Sequence, residues 1–479
     1  MALQRYSTRD EFGNLLAPEE SDPVWAAPTA DAPLAARLML PGSKSLTNRE
    51  LVLSALADGP SLLRRPLHSR DSALMIEALK QLGVSIVEVP GDGAFGPDLR
   101  VTPPVDSEGP GLHGGVSIDT GLAGTVMRFL PPLAALALGP VAIDGDANAR
   151  RRPMRTTIQA LRDLGVEVDD DGSGTMPFTI HGTGAVEGGQ LAIDASASSQ
   201  FVSGLLLAAP RFQRGLELRH TGERLPSLPH IEMTIATLAA RGVAVESPEP
   251  GVWVVPASPL SASDITIESD LSNAAPFLAA ALVAGGTVTI DGWPDATTQV
   301  GAQLEQLLPR FGAVVRRAGH ALTVDGGAGV RRAGKVGGAD LPGVDLDLSE
   351  AGELAPTLAV LAALASGPSR LTGIGHLRGH ETDRLAALRE NIERLGGSVT
   401  ELDDGLAIEP APLHGGPWLA HEDHRMATSG ALLGLVVDGI EVDDIGSTAK
   451  TLPEFPELWE QLLRGPAAAR VEPINWLAL

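Results

Sequence analysis

The 479-residue chain contains no cysteine, and this absence excludes several kinds of chemistry at once. Without thiols there is no disulfide framework, no thiolate nucleophile, and no iron–sulfur cluster or zinc site built on cysteine ligands. Aromatic residues are also scarce, at nine Phe, six Trp and one Tyr. Because Ala, Leu, Val and Gly are abundant instead, we expect closely packed layers of helix on sheet.

Long hydrophobic runs and positive charge are scarce as well. The longest apolar run, 354–365, is interrupted by Pro356 and Thr357 and is shorter than the roughly 20 residues that span a bilayer, so it predicts a core helix. The N-terminal residues lack the hydrophobic stretch of a secretory signal, and a cytoplasmic location is expected. With 36 Lys and Arg against 60 Asp and Glu, the net charge of −24 disfavours nucleic acid and anionic membranes as partners.

A repeated pattern runs through the chain. Amphipathic stretches end in a glycine and are followed by β-branched runs at five places, 70–84 residues apart. These glycines are Gly83, Gly165, Gly242, Gly312 and Gly396. Glycine adopts the left-handed backbone conformation that commonly ends a helix, so each position predicts a helix followed by a strand.

Six short polar clusters lie upstream of Ala- and Leu-rich stretches, each between a predicted strand and a predicted helix. They are 42–45, 120–125, 196–199, 270–273, 348–350 and 422–425. Six strand–helix–strand–helix–strand units of roughly 70–85 residues fit the chain length, and α/β patterning shared without true repetition is the alternative. Two groups of three units predict two similar domains.

A composition break near 256–263 separates the third predicted unit from the fourth. We therefore predict a leader at 1–33, a first domain formed by 34–42 together with 264–479, and a second domain formed by 43–263. The segment around 37–40 is interpreted as a strand contributed to the first domain.

The polar clusters are candidate anion sites because a helix N-terminus presents unpaired N–H groups and a positive dipole. Cations occur at the same places: Lys44, Arg49, Arg128, Arg152, Arg384, Arg425 and Lys450. An isolated Lys or Arg is more often a solvated surface charge, but Lys44 and Arg425 oppose a helix dipole and so predict a bound anion. His421 and His424 have no third ligand at a suitable spacing, so no metal site is predicted.

Seven stretches carry a family resemblance: LPGSKSLTNR (40–49), GLAGTVMR (121–128), RRP (151–153), SASSQF (196–201), HETDR (380–384), DHRMA (423–427) and STAKTLPEF (447–455). Over about residues 34–465 the chain resembles the 5-enolpyruvylshikimate-3-phosphate synthase family of the shikimate pathway, a target of glyphosate. The resemblance implies an α/β fold of two domains, each an inverted α/β barrel of three βαβαββ repeats, with the active site in the interdomain cleft.

The resemblance also implies a reaction. The enolpyruvyl group of phosphoenolpyruvate is transferred to the 5-hydroxyl of shikimate-3-phosphate through a tetrahedral intermediate, and phosphate is released without metal or organic cofactor. The implied shikimate-3-phosphate contacts are Lys44, Ser45, Arg49, Ser198, Ser199, Gln200, Ser227, Glu350 and His380. The implied phosphoenolpyruvate contacts are Lys44, Gly124, Arg152, Gln200, Glu381, Arg384, Arg425 and Lys450, with Arg128 in the same pocket.

Three of these residues are the implied acid–base catalysts. Glu381 is expected to protonate the methylene carbon of phosphoenolpyruvate and Glu350 to accept the hydroxyl proton, with Lys44 as a further acid or base. Which of the three moves which proton stays open. The chain departs from the common family pattern at Leu122, Phe129, His230, Glu350, His376 and His380.

Two other functions compete with this one. A sister enolpyruvyl transferase acts on UDP-N-acetylglucosamine but usually carries a reactive cysteine, which this chain lacks. A non-catalytic repeat scaffold that binds anions is the second alternative, and the carboxylates among the cations argue against it. The expected partners are the two small anionic substrates, and the expected assembly is a monomer that is sensitive to glyphosate.

Overall fold

The computed structural model describes residues 24–91, 93–104, 111–331 and 338–465. Within these ranges the helices are α1 Lys44–Ala55, α2 Arg70–Gln81, α3 Gly124–Ala134, α4 Arg155–Asp163, α5 Gln200–Ala208, α6 Leu228–Ala240, α7 Ala274–Ala284, α8 Leu304–Leu307, α9 Ala355–Ala363, α10 Arg384–Arg394, α11 His424–Gly434 and α12 Phe455–Arg464. No described helix is both long and apolar enough to cross a membrane.

The strands in the same ranges are short. They are β1 Trp25–Ala26, β2 Leu34–Met39, β3 Ser61–Arg64, β4 Ser85–Val89, β5 Asp98–Thr102, β6 Val116–Asp119, β7 Leu138–Asp144, β8 Glu167–Asp169, β9 Phe178–Thr183, β10 Gly189–Ile193, β11 Leu216–His220, β12 Val252–Val255, β13 Asp264–Thr266, β14 Gly286–Asp291, β15 Val314–Arg317, β16 Ala321–Asp325, β17 Asp345–Asp347, β18 Ser369–Thr372, β19 Ser398–Leu402, β20 Gly405–Glu409, β21 Gly416–Trp418 and β22 Ile440–Val442.

These strands form six sheets of one topology. In every sheet two strands pair in parallel, and one of these two also pairs antiparallel with a third strand. The sheet orders are β13-β3-β5-β4, β6-β7-β9-β8, β10-β11-β12, β2-β14-β16-β15, β17-β18-β20-β19 and β21-β22-β1. The six predicted units are therefore confirmed as α/β repeats, and closure of each half into a barrel stays an implication of the resemblance.

The chain divides by its internal contacts into two compact units. Of the described residues, the first unit contains those of 24–41, 269–378 and 382–465, and the second contains those of 42–268 together with Gly379–Glu381. Strand β2 pairs in parallel with β14 of the first unit, as expected for the segment around 37–40. Strand β13 pairs in parallel with β3 of the second unit.

Part of the segment interpreted as a leader belongs to the fold of the first unit. Trp25–Ala26 pairs antiparallel with β22, and the Ala27 N–H donates to Ile440 O at 2.9 Å. Ala27 and Ala30 are buried. The predicted leader therefore extends too far toward the C-terminus, because a short alanine-rich strand carries little sequence signal.

Three helices in each unit are buried along nearly their whole length. In the second unit these are α1, α3 and α5, and in the first unit α7, α9 and α11, with each helix contacting the other two of its set. Helix α7 contains only Ala, Pro, Phe, Leu and Val, and a helix that is apolar on every side must be buried. The N-termini of five of these helices carry the predicted polar clusters or directly follow them, and a 3-10 turn of residues Gly352–Leu354 separates the cluster 348–350 from α9.

The glycine positions are confirmed. All five predicted glycines have positive φ angles, between 83° and 97°; four are separated from the end of a helix by one residue, and Gly312 directly follows a helical turn. Gly465 directly follows α12 and also has a positive φ, of 71°. No β-branched run follows Gly465 in the sequence, so the repeated pattern did not predict it. A side chain in this conformation costs roughly 1 kcal/mol, which accounts for glycine at each helix end.

Candidate active site

Lys44 is the first residue of α1 in the second unit, at the positive end of the helix dipole. Its Nζ lies 3.5 Å from Oδ2 of Asp71, which is in the first turn of α2 and is buried. Ser43 precedes it and caps α1 by accepting from the Leu46 N–H at 3.5 Å. The buried carboxylate compensates the ammonium group and holds it at the helix N-terminus. The sequence patterns did not single out Asp71.

Gly124 begins α3 at the centre of a polar cradle in the second unit. A Cβ atom added there would lie 3.2 Å from Gln200 Oε1, 3.3 Å from an Arg128 guanidinium nitrogen and 3.4 Å from one of Arg152. The predicted cluster is brought together around this glycine by the packing of α3 on α5. At Gly204 of α5 a side chain would overlap the carbonyl oxygen of Arg128, so glycine allows the two helices to approach closely.

The cradle is strongly positive and largely withdrawn from water. Arg128 and Arg152 are 3% and 9% exposed. Burial lowers the pKa of Arg128 well below its usual value, the charge of Arg152 lowers it further, and Glu381 opposes the shift. Arg128 Nε and Gln200 Oε1 are buried without a hydrogen-bond partner among the described residues. Two neighbouring buried guanidinium groups repel each other, so this arrangement favours a bound anion.

Arg49 is held by protein acceptors. Its Nε donates to Thr234 Oγ1 at 2.8 Å, and its two terminal nitrogens donate to the carbonyl oxygens of Ser45 and His230 at 2.9 and 2.8 Å. The guanidinium group also lies 5.1 Å from the centre of the Phe129 ring, and Arg49 is 1% exposed. Arg49 therefore ties α1 to α6, and its predicted contact with shikimate-3-phosphate stays a prediction.

The four predicted serines lie at three helix starts of the second unit, with Ser45 in the first turn of α1. Ser198 Oγ accepts from the Gln200 N–H at 3.2 Å, and buried Ser199 directly precedes α5. Ser227 precedes α6 with φ of 55°, a left-handed conformation that non-glycine residues seldom adopt. Its side chain makes no capping hydrogen bond to the helix. Backbone strain of this kind is often found at ligand sites.

His380 and Glu381 lie in the short segment that groups with the second unit. Nδ1 of His380 is 3.9 Å from Glu381 Oε2, and the Glu381 side chain is 8% exposed. The negative charge of Glu381 raises the pKa of Arg128 and partly opposes the lowering caused by burial and by Arg152. The implied role of Glu381 as an acid–base residue stays a prediction.

In the first unit, Asp423 organises two of the predicted arginines. Its carboxylate accepts from Arg384 Nε at 2.7 Å and from a terminal nitrogen of Arg384 at 3.2 Å, and both side chains are almost fully buried. The same carboxylate caps α11 by accepting from the Arg425 N–H at 2.9 Å. Asp423 thus fixes the start of the helix that carries Arg425 and the orientation of Arg384.

Glu353 is the carboxylate that meets Arg425. Its Oε2 accepts from an Arg425 guanidinium nitrogen at 2.8 Å and its Oε1 from Ser272 Oγ at 2.6 Å. The side chain is 18% exposed. Glu350, the implied shikimate-3-phosphate contact and acceptor of the hydroxyl proton, is exposed, and its carbonyl oxygen accepts from Gln303 at 3.4 Å. Glu353, which the sequence patterns did not single out, is therefore the glutamate that contacts Arg425, and the role of Glu350 stays a prediction.

Lys450 ends a helical turn of residues Ile445–Lys450 and is 3% exposed. The next residue, Thr451, is tied to the N-terminus of α7, because its carbonyl oxygen accepts from Asn273 Nδ2 at 3.2 Å. Thr451 Oγ1 lies 3.5 Å from Asn273 Oδ1. The predicted polar cluster at 270–273 is therefore in contact, within the first unit, with the stretch 447–455 that carries the family resemblance.

The comparisons with known proteins agree on one family. The family model for EPSP synthase (3-phosphoshikimate 1-carboxyvinyltransferase) matches residues 28–459. A 3-phosphoshikimate 1-carboxyvinyltransferase of Kocuria rhizophila is 56% identical over 444 residues, which cover 92% of this chain and 97% of that protein. An EPSP synthase structure from Acinetobacter baumannii superposes with a TM-score of 0.72 at 25% identity, covering 91% of this chain and 97% of the other. The enolpyruvyl transferase NikO from Streptomyces tendae shares the fold, with a TM-score of 0.68 at 18% identity and coverage of 91% and 96%.

Proposed function

Because this chain belongs to the EPSP synthase family, we propose that it transfers the enolpyruvyl group of phosphoenolpyruvate to the 5-hydroxyl of shikimate-3-phosphate. The observation that supports this most directly is the cradle around Gly124, where two buried guanidinium groups and a glutamine converge. Planar guanidinium groups match carboxylate and phosphate oxygens, the two groups that phosphoenolpyruvate presents.

The reaction requires one addition and one elimination. In the addition, the 5-hydroxyl oxygen forms a bond to the central carbon of phosphoenolpyruvate, the methylene carbon gains a proton, and the hydroxyl loses one. In the elimination, the bond from that carbon to the phosphate oxygen breaks, phosphate leaves, and the new methyl group loses a proton. Each half needs a proton donor and a proton acceptor placed near fixed positive charge.

In our proposal these groups are assigned residue by residue. In the second unit Lys44, Gly124, Arg128, Arg152 and Gln200 bind phosphoenolpyruvate, and Glu381 exchanges a proton with the methylene carbon. Ser45, Ser198, Ser199, Ser227 and His380 bind shikimate-3-phosphate. In the first unit Arg384, Arg425 and Lys450 stabilise the negative charge of phosphoenolpyruvate and of the departing phosphate.

Glu353 takes the role that the sequence assigned to Glu350. Its carboxylate is oriented by Ser272 and Arg425, whereas Glu350 is exposed. A carboxylate held in a defined rotamer is better suited to accept the proton of the 5-hydroxyl. We therefore propose Glu353, Glu381 and Lys44 as the acid–base residues.

The test is phosphate release by the purified protein. We expect release when phosphoenolpyruvate and shikimate-3-phosphate are both present, and none when either is omitted. Replacing shikimate-3-phosphate with UDP-N-acetylglucosamine should give no release. Turnover with the nucleotide sugar would favour the sister transferase, and no release with either acceptor would favour an anion-binding scaffold.

Gly124→Ala should weaken phosphoenolpyruvate binding. The added methyl group would lie 3.2–3.4 Å from Gln200 and the two arginines, so they must move by a few tenths of an ångström. We expect the KM for phosphoenolpyruvate to rise roughly tenfold, and inhibition by glyphosate, its mimic, to weaken at least as much. The KM for shikimate-3-phosphate serves as the control and should stay unchanged. An unaltered KM for phosphoenolpyruvate would show that the cradle does not bind it.

Location and assembly are part of the same proposal. The substrates are small polar anions, and we propose a cytoplasmic enzyme that acts as a monomer. Sedimentation of the purified chain at several concentrations measures the assembly state, and a mass of about 50 kDa at all of them is the expected result, given 49.6 kDa for one chain.

A further inference from the structure

We infer that His220 is a positioning residue for shikimate-3-phosphate binding, and that it acts as a hydrogen-bond acceptor for the loop 194–199. This inference rests on the proposed role of Ser198, Ser199 and Gln200. His220 is the last residue of β11, and in the parallel pairing it lies opposite Ile193, the last residue of β10. The loop therefore leaves its strand directly beside the imidazole.

A chain of hydrogen bonds leads from the imidazole to the start of α5. Nδ1 of His220 accepts from the Ala195 N–H at 3.2 Å. The Ala195 carbonyl oxygen accepts from the Ser198 N–H at 3.0 Å, and the Ser198 carbonyl oxygen accepts from the Phe201 N–H at 3.3 Å. Ala195 is fully buried, so without the imidazole its N–H would lack both this acceptor and ready access to water. The imidazole thus fixes the first peptide of the loop that presents the serines.

The surroundings of His220 leave the loop little freedom. The Thr221 N–H donates to Ile193 O at 2.9 Å and extends the parallel pairing by one step. At Gly222 an added Cβ would overlap Ser196 Oγ and Asp194 Oδ1 and would lie 2.7 Å from His220 Cε1. The Ser196 N–H in turn donates to Asp194 Oδ1 at 2.9 Å. The segment after β11 is thus packed against the segment after β10, and it continues toward Ser227.

The hydrogen bonding also defines which form of the imidazole is present. Because Nδ1 accepts a hydrogen bond, the neutral ring carries its proton on Nε2. Nε2 is buried without a hydrogen-bond partner among the described residues. The Nε2–H of this ring therefore has no hydrogen-bonded acceptor among the described residues to which it could pass a proton. His220 therefore serves as an acceptor for the backbone and takes no part in the acid–base chemistry.

Two amide substitutions test this inference as a matched pair. In His220→Asn, the side-chain oxygen can take the place of Nδ1 and accept from the Ala195 N–H. In His220→Gln, one more methylene group separates the amide from the backbone, so its oxygen cannot occupy the position of Nδ1. We expect His220→Gln to raise the dissociation constant and the KM for shikimate-3-phosphate roughly tenfold with kcat unchanged, and His220→Asn to remain within about twofold of the unaltered protein.

Titration calorimetry with shikimate-3-phosphate measures the dissociation constant, steady-state phosphate release gives the KM and kcat, and Ser199→Ala is measured beside the two His220 variants. The inference is overturned if His220→Gln binds as tightly as the unaltered protein, or if His220→Asn is weakened as much as His220→Gln. A loss of kcat with unchanged KM would also contradict it. If Ser199→Ala leaves binding unchanged, the proposed shikimate site is itself wrong. If Ser199→Ala weakens binding and His220→Gln does not, only the role of His220 fails.

Discussion

Glu353→Gln is expected to lower kcat by about 10²–10⁴-fold, whereas Glu350→Gln should leave kcat within about twofold. The two glutamates are three residues apart and differ in their surroundings. Glu353 is held by Arg425 and Ser272, and Glu350 is exposed. Glutamine has nearly the same shape as glutamate but cannot accept a proton at neutral pH. The substitution therefore removes the proposed base while largely preserving the packing.

The kinetic measurement separates a catalytic role from a binding role. Steady-state phosphate release gives kcat and both KM values, and single-turnover experiments show whether the addition step is slowed. We expect the KM values of Glu353→Gln to change little, because the amide oxygen still accepts from the guanidinium group of Arg425. A full loss of activity in Glu350→Gln with normal activity in Glu353→Gln would reverse the assignment.

The choice between Glu350 and Glu353 depends on where the helix begins. The sequence pattern predicts a helix after the polar residues 348–350, and a short 3-10 turn of residues Gly352–Leu354 comes before α9. Glu353 lies in that turn and contacts Arg425, whereas Glu350 lies before it and is exposed. Sequence patterns locate helix ends to within a few residues, whereas the identity of a catalytic group depends on a single residue.

Other features were predictable because they depend on local chemistry. Glycine after a helix, apolar residues on all sides of a helix, and polar clusters before a helix each have a local cause, and all are found in the structure. Contacts between distant segments could not be predicted in this way. Asp71 beside Lys44 and Asp423 beside Arg384 pair residues 27 and 39 positions apart, and Arg49 reaches α6 more than 180 positions away. These partners depend on the tertiary packing of the helices.

Lys44→Met is expected to reduce kcat/KM by about 10³-fold or more, since it removes a preorganised charge that is also a candidate acid. Methionine preserves the length of the side chain and most of its apolar contacts. Lys80→Met is the matched control, because it makes the same chemical change at an exposed position of α2 and should leave turnover unaltered. Phosphate release at saturating and limiting substrate gives the comparison.

The ion pair with Asp71 adds a second expected effect, on stability. Lys44→Met leaves the buried Asp71 carboxylate without its cation. We therefore expect the free energy of unfolding to fall by about 1–3 kcal/mol. The double variant Lys44→Met with Asp71→Asn removes that unpaired charge, so it should recover much of the stability while its turnover stays low. Recovery of stability and turnover together would mean that Lys44 supports the fold and not the reaction. Low turnover in a double variant whose stability has recovered would show that the reaction itself requires the ammonium group of Lys44.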